Sequence, residues 1–161
     1  MYLKYNDQTL TTPSRSWINF SLYRYAEVLL IAAEALNEYD PGNNRIVEYV
    51  DQVRQRAGLP SVSSVQNDQY KMRTYIREER RHEFVAEHKR YFDILRWKTA
   101  EIVLNKPGYG INKDENSAIG DYTQEMFLGQ NRTFDPSKHY LWPIPQKALD
   151  NNLNLKQNPN W

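Results

Sequence analysis

The chain has 161 residues, 40% of them hydrophobic and 25% charged, which is enough for one domain with a real core. It carries no cysteine, which excludes disulfides, thiolate metal sites and a cysteine nucleophile. Its 21 basic and 20 acidic side chains leave a formal charge of +1, without the one-signed surface that nucleic-acid binding by counterion release requires.

Residues 1–21 show no sustained period, and Thr11-Thr12-Pro13-Ser14 reads as loop. In the first helix Leu22, Ala26, Leu29, Ala33 and Leu36 fall on one line. Tyr25, Val28, Ala32 and Ala35 form a second line beside it, which predicts contact on two sides. The run from Val28 to Ala33 is the most apolar in the chain, yet far too short to span a bilayer. Asp40-Pro41-Gly42 ends this helix. Asn43 or Asn44 caps a second one, with Ile46, Val50, Val53 and Ala57 at helical spacing and Gly58 as a left-handed terminus. The two form a short-loop antiparallel pair like one tetratricopeptide unit.

A linker over 61–66 leads to a third helix, capped by Asn67 or Asp68 and running to about residue 87. A fourth is predicted from about 90 to 104. This second hairpin starts later than a regular tetratricopeptide period would place it. After Asn105-Lys106-Pro107-Gly108 the helical pattern stops, and residues 109–139 are polar and turn-rich, with room for short strands. In Trp142-Pro143-Ile144-Pro145 each proline disfavours the α region for its predecessor, so the chain is extended. A brief helix fits 146–151, and the tail is ordered only if Leu153, Leu155 and Trp161 dock. The expected fold is therefore all-α and a single domain over 1–161. Tetratricopeptide-like hairpins of about four main helices occupy 22–105, and a long irregular region with a short helix fills 106–161.

On the third helix the line Met72, Ile76, Glu79, Glu83 runs from apolar side chains into two carboxylates. Carboxylates on a packed face must be paired or neutralised, and Arg54, Arg90 and Arg96 are the candidate partners. One reading is a general acid/base pair for glycoside hydrolysis. The other is a buried ion network that fixes helix docking, which is the reading adopted. His82, Glu83, Glu87 and His88 fail both zincin spacings, because Ala86 and Phe84 stand where histidine is needed. Asn112-Lys113-Asp114-Glu115-Asn116 opens like a calcium loop, but Ser117 and Thr123 break the EF-hand pattern. No metal or cofactor is expected. Aromatics make up 13% of the chain. Most suit packing, whereas Trp17, Tyr109 and Tyr122 sit in loop-like stretches where rings can stack on sugars. Trp142 and Trp161, next to prolines or at the tail's end, read as core plugs.

Three motifs occur in order: Glu78-Glu79-Arg80-Arg81-His82-Glu83-Phe84, then Tyr140-Leu141-Trp142-Pro143-Ile144-Pro145, then Gln157-Asn158-Pro159-Asn160-Trp161. Together they resemble the C-terminal part of the SusD/RagB family, over about residues 22–161. The family pattern Glu-Gly-x-Arg-x-Phe-Asp-x-x-Arg-Trp maps onto Glu87, His88, Arg90, Phe92, Asp93, Arg96 and Trp97, with His88 in place of glycine. Leu153 stands where proline is common and Asn160 where glycine is, and asparagine tolerates the left-handed region.

The resemblance implies that Glu79, Arg80, Arg81, Glu83, Arg90, Asp93, Arg96, Trp97, Pro143, Pro145, Asn158 and Pro159 are scaffold. It implies a longer parent of which this chain is the C-terminal piece, held at the outer membrane by an N-terminal lipid anchor absent here. That parent would be a non-catalytic receptor at the cell surface, binding an oligosaccharide beside a SusC-like TonB-dependent transporter. A helical-repeat adaptor gripping a peptide and a hydrolase using Glu79 and Glu83 are the competing readings.

Overall fold

The computed structural model describes residues 21–111, 126–130 and 132–161. The chain divides into two compact units, one ending at Arg90 and the other beginning at Tyr91.

In the first unit, α1 spans Tyr25–Tyr39, α2 Asn44–Arg56 and α3 Gln69–Glu83, with a 3-10 turn at Ser63–Val65. The ends follow local chemistry. Asn43 caps α2 by accepting from the Arg45 N–H at 3.0 Å, and Asp68 caps α3 by accepting from the Lys71 N–H at 3.0 Å. At the end of α2, Gly58 takes φ +71° while the Leu59 N–H returns to the Arg54 carbonyl, a Schellman closure. The core of this unit is Leu29, Leu30, Ala33, Ile46, Val50, Val53, Val62, Met72, Ile76 and Phe84. α1 packs on both α2 and α3. Only one of the two apolar lines on α1 is covered. Leu29 and Ala33 are buried, while Tyr25 and Val28 are exposed. Leu22 lies outside the helix and is exposed as well.

Helix α3 stops at Glu83, several residues before the expected end near 87. The following loop contains two non-glycine residues in the left-handed region, Ala86 at φ +64° and His88 at φ +59°. Between them Glu87 is only 3% exposed. The loop thus serves to carry a carboxylate back into the unit. Ala86 is exposed and its backbone is the costlier part of this turn. Ala86→Gly is expected to raise the urea-unfolding free energy by about 0.5–1 kcal/mol, the relief outweighing the extra chain entropy.

In the second unit the expected fourth helix is two short ones, α4 Arg90–Arg96 and α5 Ala100–Leu104. Neither glycine nor proline marks the break. Instead Lys98 adopts φ +54°, its N–H bonding to Leu95 and the Thr99 N–H to Ile94, another Schellman closure. The Lys98 ammonium lies 4.0 Å from the Tyr140 ring centroid, a cation–π contact available in this geometry. β1 (Gly108–Ile111) pairs antiparallel with β2 (Met126–Gln130), with an irregularity between Gly108 and Tyr109. A last short helix, α6, spans Gln146–Asn151.

The plug of this unit is Phe134, buried with Ile94 and Ala100 and edge-on to Tyr140 at 4.9 Å between centroids. Trp142 is not a plug: it is 71% exposed, and Leu153 is 94% exposed. The tail is held by amides rather than by leucines. Ile144, between two prolines, has the sole backbone donor of Pro143-Ile144-Pro145. That N–H donates to Gln157 Oε1 at 2.8 Å, while Gln157 Nε2 donates to the Ile144 carbonyl at 2.9 Å. One side chain thus replaces a neighbouring strand. Asn105 does the same for Phe134, accepting from its N–H at 2.6 Å and donating to its carbonyl at 3.1 Å. Asn158 Nδ2 donates to the Trp142 carbonyl at 2.6 Å, and Asn160 Nδ2, with Asn160 at φ +63°, to the Ser137 carbonyl at 2.9 Å. Trp161 is half-exposed, its indole N–H shared between the Lys138 and Leu141 carbonyls at 3.2 and 3.0 Å. Gln157→Ala leaves both Ile144 groups unpaired, at about 1 kcal/mol for each lost bond. The expected result is faster amide exchange and proteolysis after Pro145, with protection in α1 to α3 unchanged.

Candidate functional site

The charged face of α3 is the strongest candidate site, because Glu79 and Glu83 are buried to 5% and 8% exposure. Glu79 Oε2 accepts from Arg54 NH1 at 2.8 Å, and the same guanidinium donates through Nε to the Pro60 carbonyl at 2.8 Å. Glu83 is gripped from both sides. Arg24 NH1 reaches its Oε1 at 2.6 Å and Arg56 NH2 its Oε2 at 2.6 Å.

Arg24 is the hub. Standing just before α1, it also donates to Glu87 Oε1 at 2.8 Å and to Oε2 at 2.9 Å, and NH2 bonds the Glu83 carbonyl at 2.7 Å. Its guanidinium covers the Phe84 ring at 4.7 Å. Burial opposes its charge, but its hydrogen bonds to Glu87 and Glu83 outweigh burial and push its pKa up. Nearby, Lys89 Nζ lies 3.0 Å from Glu27 Oε2 and donates to the Leu22 carbonyl at 2.7 Å. At the far end of α3, Arg73 makes a two-pronged bond to Glu38 at 2.6 Å on each prong. That bond outweighs the opposing effect of burial and holds the Glu38 carboxyl below its ordinary range.

Of the partners expected from sequence, Arg54 meets Glu79. Arg24 and Arg56 grip Glu83, whereas Arg96 bonds Asp93 at 3.1 Å in the second unit. Arg80 is buried with its guanidinium 5.1 Å from Phe84, and Arg81 is at the surface near Glu78 at 3.5 Å. Arg90 opens α4, and the Arg96 guanidinium covers the half-buried Trp97 at 5.0 Å. Pro143 and Pro145 flank Ile144 at the surface, and Pro159 follows Asn158. Sequence reasoning missed Arg24, Arg56, Lys89 and Glu27. The available signal was Glu27, a charge set among the apolar lines of α1.

Trp17 and Tyr122 lie outside the described residues, as do 112–125 with the calcium-like loop. Tyr109 has its backbone in β1, paired with Leu128. Among the described residues no group of three or more His, Cys, Asp or Glu side chains could hold a metal ion. None of their helices is long and apolar enough to cross a membrane.

Glycoside hydrolysis needs one carboxyl free to donate a proton and another facing the sugar or a water. Here both oxygens of Glu83 and both of Glu87 are occupied by guanidinium donors. Such a network orients helices and engages all four of these oxygens, while Glu79 is tied to Arg54 through Oε2. The arrangement defines a tetratricopeptide-like helical scaffold whose buried acids are tied to arginines.

The comparisons agree. The model of the SusD family matches residues 1–161, and the chain belongs to that family. It is 35% identical to SusD-like protein P2 of Formosa agariphila over 98% of this chain and 28% of the relative. A SusD homolog from Bacteroides thetaiotaomicron superposes with a TM-score of 0.63 at 29% identity, over 92% of this chain and 29% of that one. Surface glycan-binding protein A from Bacteroides uniformis gives 0.59 at 29% identity, over 89% and 28%. The chain thus spans about a quarter of the length of the proteins it matches. Proteins of this family are non-catalytic binders.

Proposed function

We propose that this chain is the helical scaffold of a non-catalytic glycan receptor at the outer-membrane surface, contributing the C-terminal portion of a longer protein. In this reading the receptor captures an oligosaccharide and hands it to a SusC-like TonB-dependent transporter. Ring stacking and hydroxyl hydrogen bonds supply the affinity, with Trp17, Tyr109 and Tyr122 as the candidate stacking rings. The observation that carries the reading is the family match over the whole chain. The engaged carboxylates of α3 support the non-catalytic part.

Affinity electrophoresis of the full-length gene product through gels containing a panel of polysaccharides tests it. Retardation by at least one glycan, without turnover of chromogenic glycosides, is the expected result. Pulldown from membranes should recover a barrel transporter. Recovery of peptides alone, with no glycan retardation, would replace this reading with the adaptor.

A further inference from the structure

Single exposed apolar side chains need no explanation, but grouped aromatic rings do. The second unit carries such a group. Trp142 is 71% exposed, and Phe92 on α4 is 67% exposed. The partly buried Tyr91 ring stands edge-on to both, 5.8 Å from Phe92 and 6.4 Å from Trp142 between centroids, at interplanar angles of 75° and 86°.

These rings are held in place without serving the core. Neither Trp142 nor Phe92 belongs to the buried cluster of this unit, which is Ile94, Ala100 and Phe134. Yet the Trp142 carbonyl accepts from Asn158 Nδ2 at 2.6 Å, and Pro143 keeps the Trp142 backbone extended. A ring already ordered by its neighbours loses little freedom when a ligand stacks on it. The size of the surface then selects the ligand. Two rings of about 150–250 Å² each, some two-thirds exposed, offer roughly 300 Å². A stable protein interface takes about 800 Å² per partner. One or two sugar rings need far less, and the side-chain oxygen of Asn158 can accept from a hydroxyl.

We propose that Trp142 and Phe92, braced by Tyr91, form a stacking platform for the sugar rings of an oligosaccharide. It is separate in sequence from Trp17, Tyr109 and Tyr122. This rests on the reading of the chain as part of a glycan receptor and gives that receptor a subsite in the second unit.

The test uses the full-length gene product in gels containing starch, laminarin, xylan, galactan, pectin or alginate. Trp142→Ala, Trp142→Phe and Phe92→Ala are compared with the wild type, and circular dichroism verifies folding. Tyr39→Ala, at a 90% exposed ring of α1 in the first unit, is the control. Binding to the polysaccharide that retards the wild type is expected to weaken about tenfold or more in Trp142→Ala. Trp142→Phe should regain part of it, Phe92→Ala should weaken it severalfold, and Tyr39→Ala should leave it unchanged. Hydroxyl-radical footprinting of the wild type needs no substitution, so it stands even where a variant misfolds. Trp142 should oxidise readily in the free protein and more slowly with the retarding polysaccharide. Retardation that survives Trp142→Ala unchanged overturns the platform and leaves the receptor reading intact. Shielding of Trp142 before any polysaccharide is added overturns the platform in favour of a protein cover. A wild type that none of these polysaccharides retards overturns both.

Discussion

Arg24→Ala is expected to lower the unfolding free energy by about 3 kcal/mol, the lower end of the cost of breaking a buried ion pair. The reason is what stays behind. The side chains of Glu83 and Glu87 are 7% and 1% exposed, and both lose the guanidinium of Arg24. Arg24 itself is 24% exposed, and this residual solvation sets the lower end of the range. Arg56 still reaches Glu83, so Glu87 suffers more. Urea unfolding followed by circular dichroism measures the loss, and Arg56→Ala serves as the comparison. Because the Arg56 side chain is 65% exposed, its removal should cost at most about 1 kcal/mol.

Phe134→Ala should be as damaging in the second unit, by about 3–5 kcal/mol. Among the described residues its core is Ile94, Ala100 and Phe134, with Leu95, Val103, Leu104 and Tyr140 packed around them. Removing the Phe134 ring leaves a cavity that short helices cannot close. The Asn105 amide still holds the backbone of residue 134 through two bonds, so the loss measures packing. Trp142→Ala, at an exposed site, should change stability by less than about 1 kcal/mol. Amide exchange through 132–161 separates the two variants.

The parts of this fold that were readable from sequence are those whose cause is local. Asn43 caps because its own side chain reaches the Arg45 N–H, and Gly58 ends α2 because glycine accepts φ +71°. The helical, hairpin-like character of the first three helices followed from periodicity in the same way. The end of α3 and the division between α4 and α5 were not readable. They depend on Ala86, His88 and Lys98 adopting a backbone region those residue types rarely enter. Only tertiary context, such as burial of Glu87, repays that strain.

For the candidate site, the need of Glu79 and Glu83 for cations was legible from their position on a packed line. Which cations was not, since Arg24 lies 59 residues from Glu83 and no helical period connects them. Trp142 misled for a related reason. Its prolines fix an extended backbone, but they do not determine which face of it is buried. The actual work of that segment falls to Ile144 and Gln157, through the pairing of one N–H and one carbonyl.

The central claim is that the carboxylates of α3 serve as cross-ties and not as reagents, and Glu83→Gln tests it most directly. A neutral amide keeps the shape but loses the charge that holds Arg24 and Arg56. Unfolding free energy is measured alongside glycan retention and glycoside turnover in the same variant. A drop of about 2 kcal/mol or more, with retention unchanged and no turnover to lose, is the predicted result. Unaltered stability together with abolished binding or hydrolysis would contradict the account.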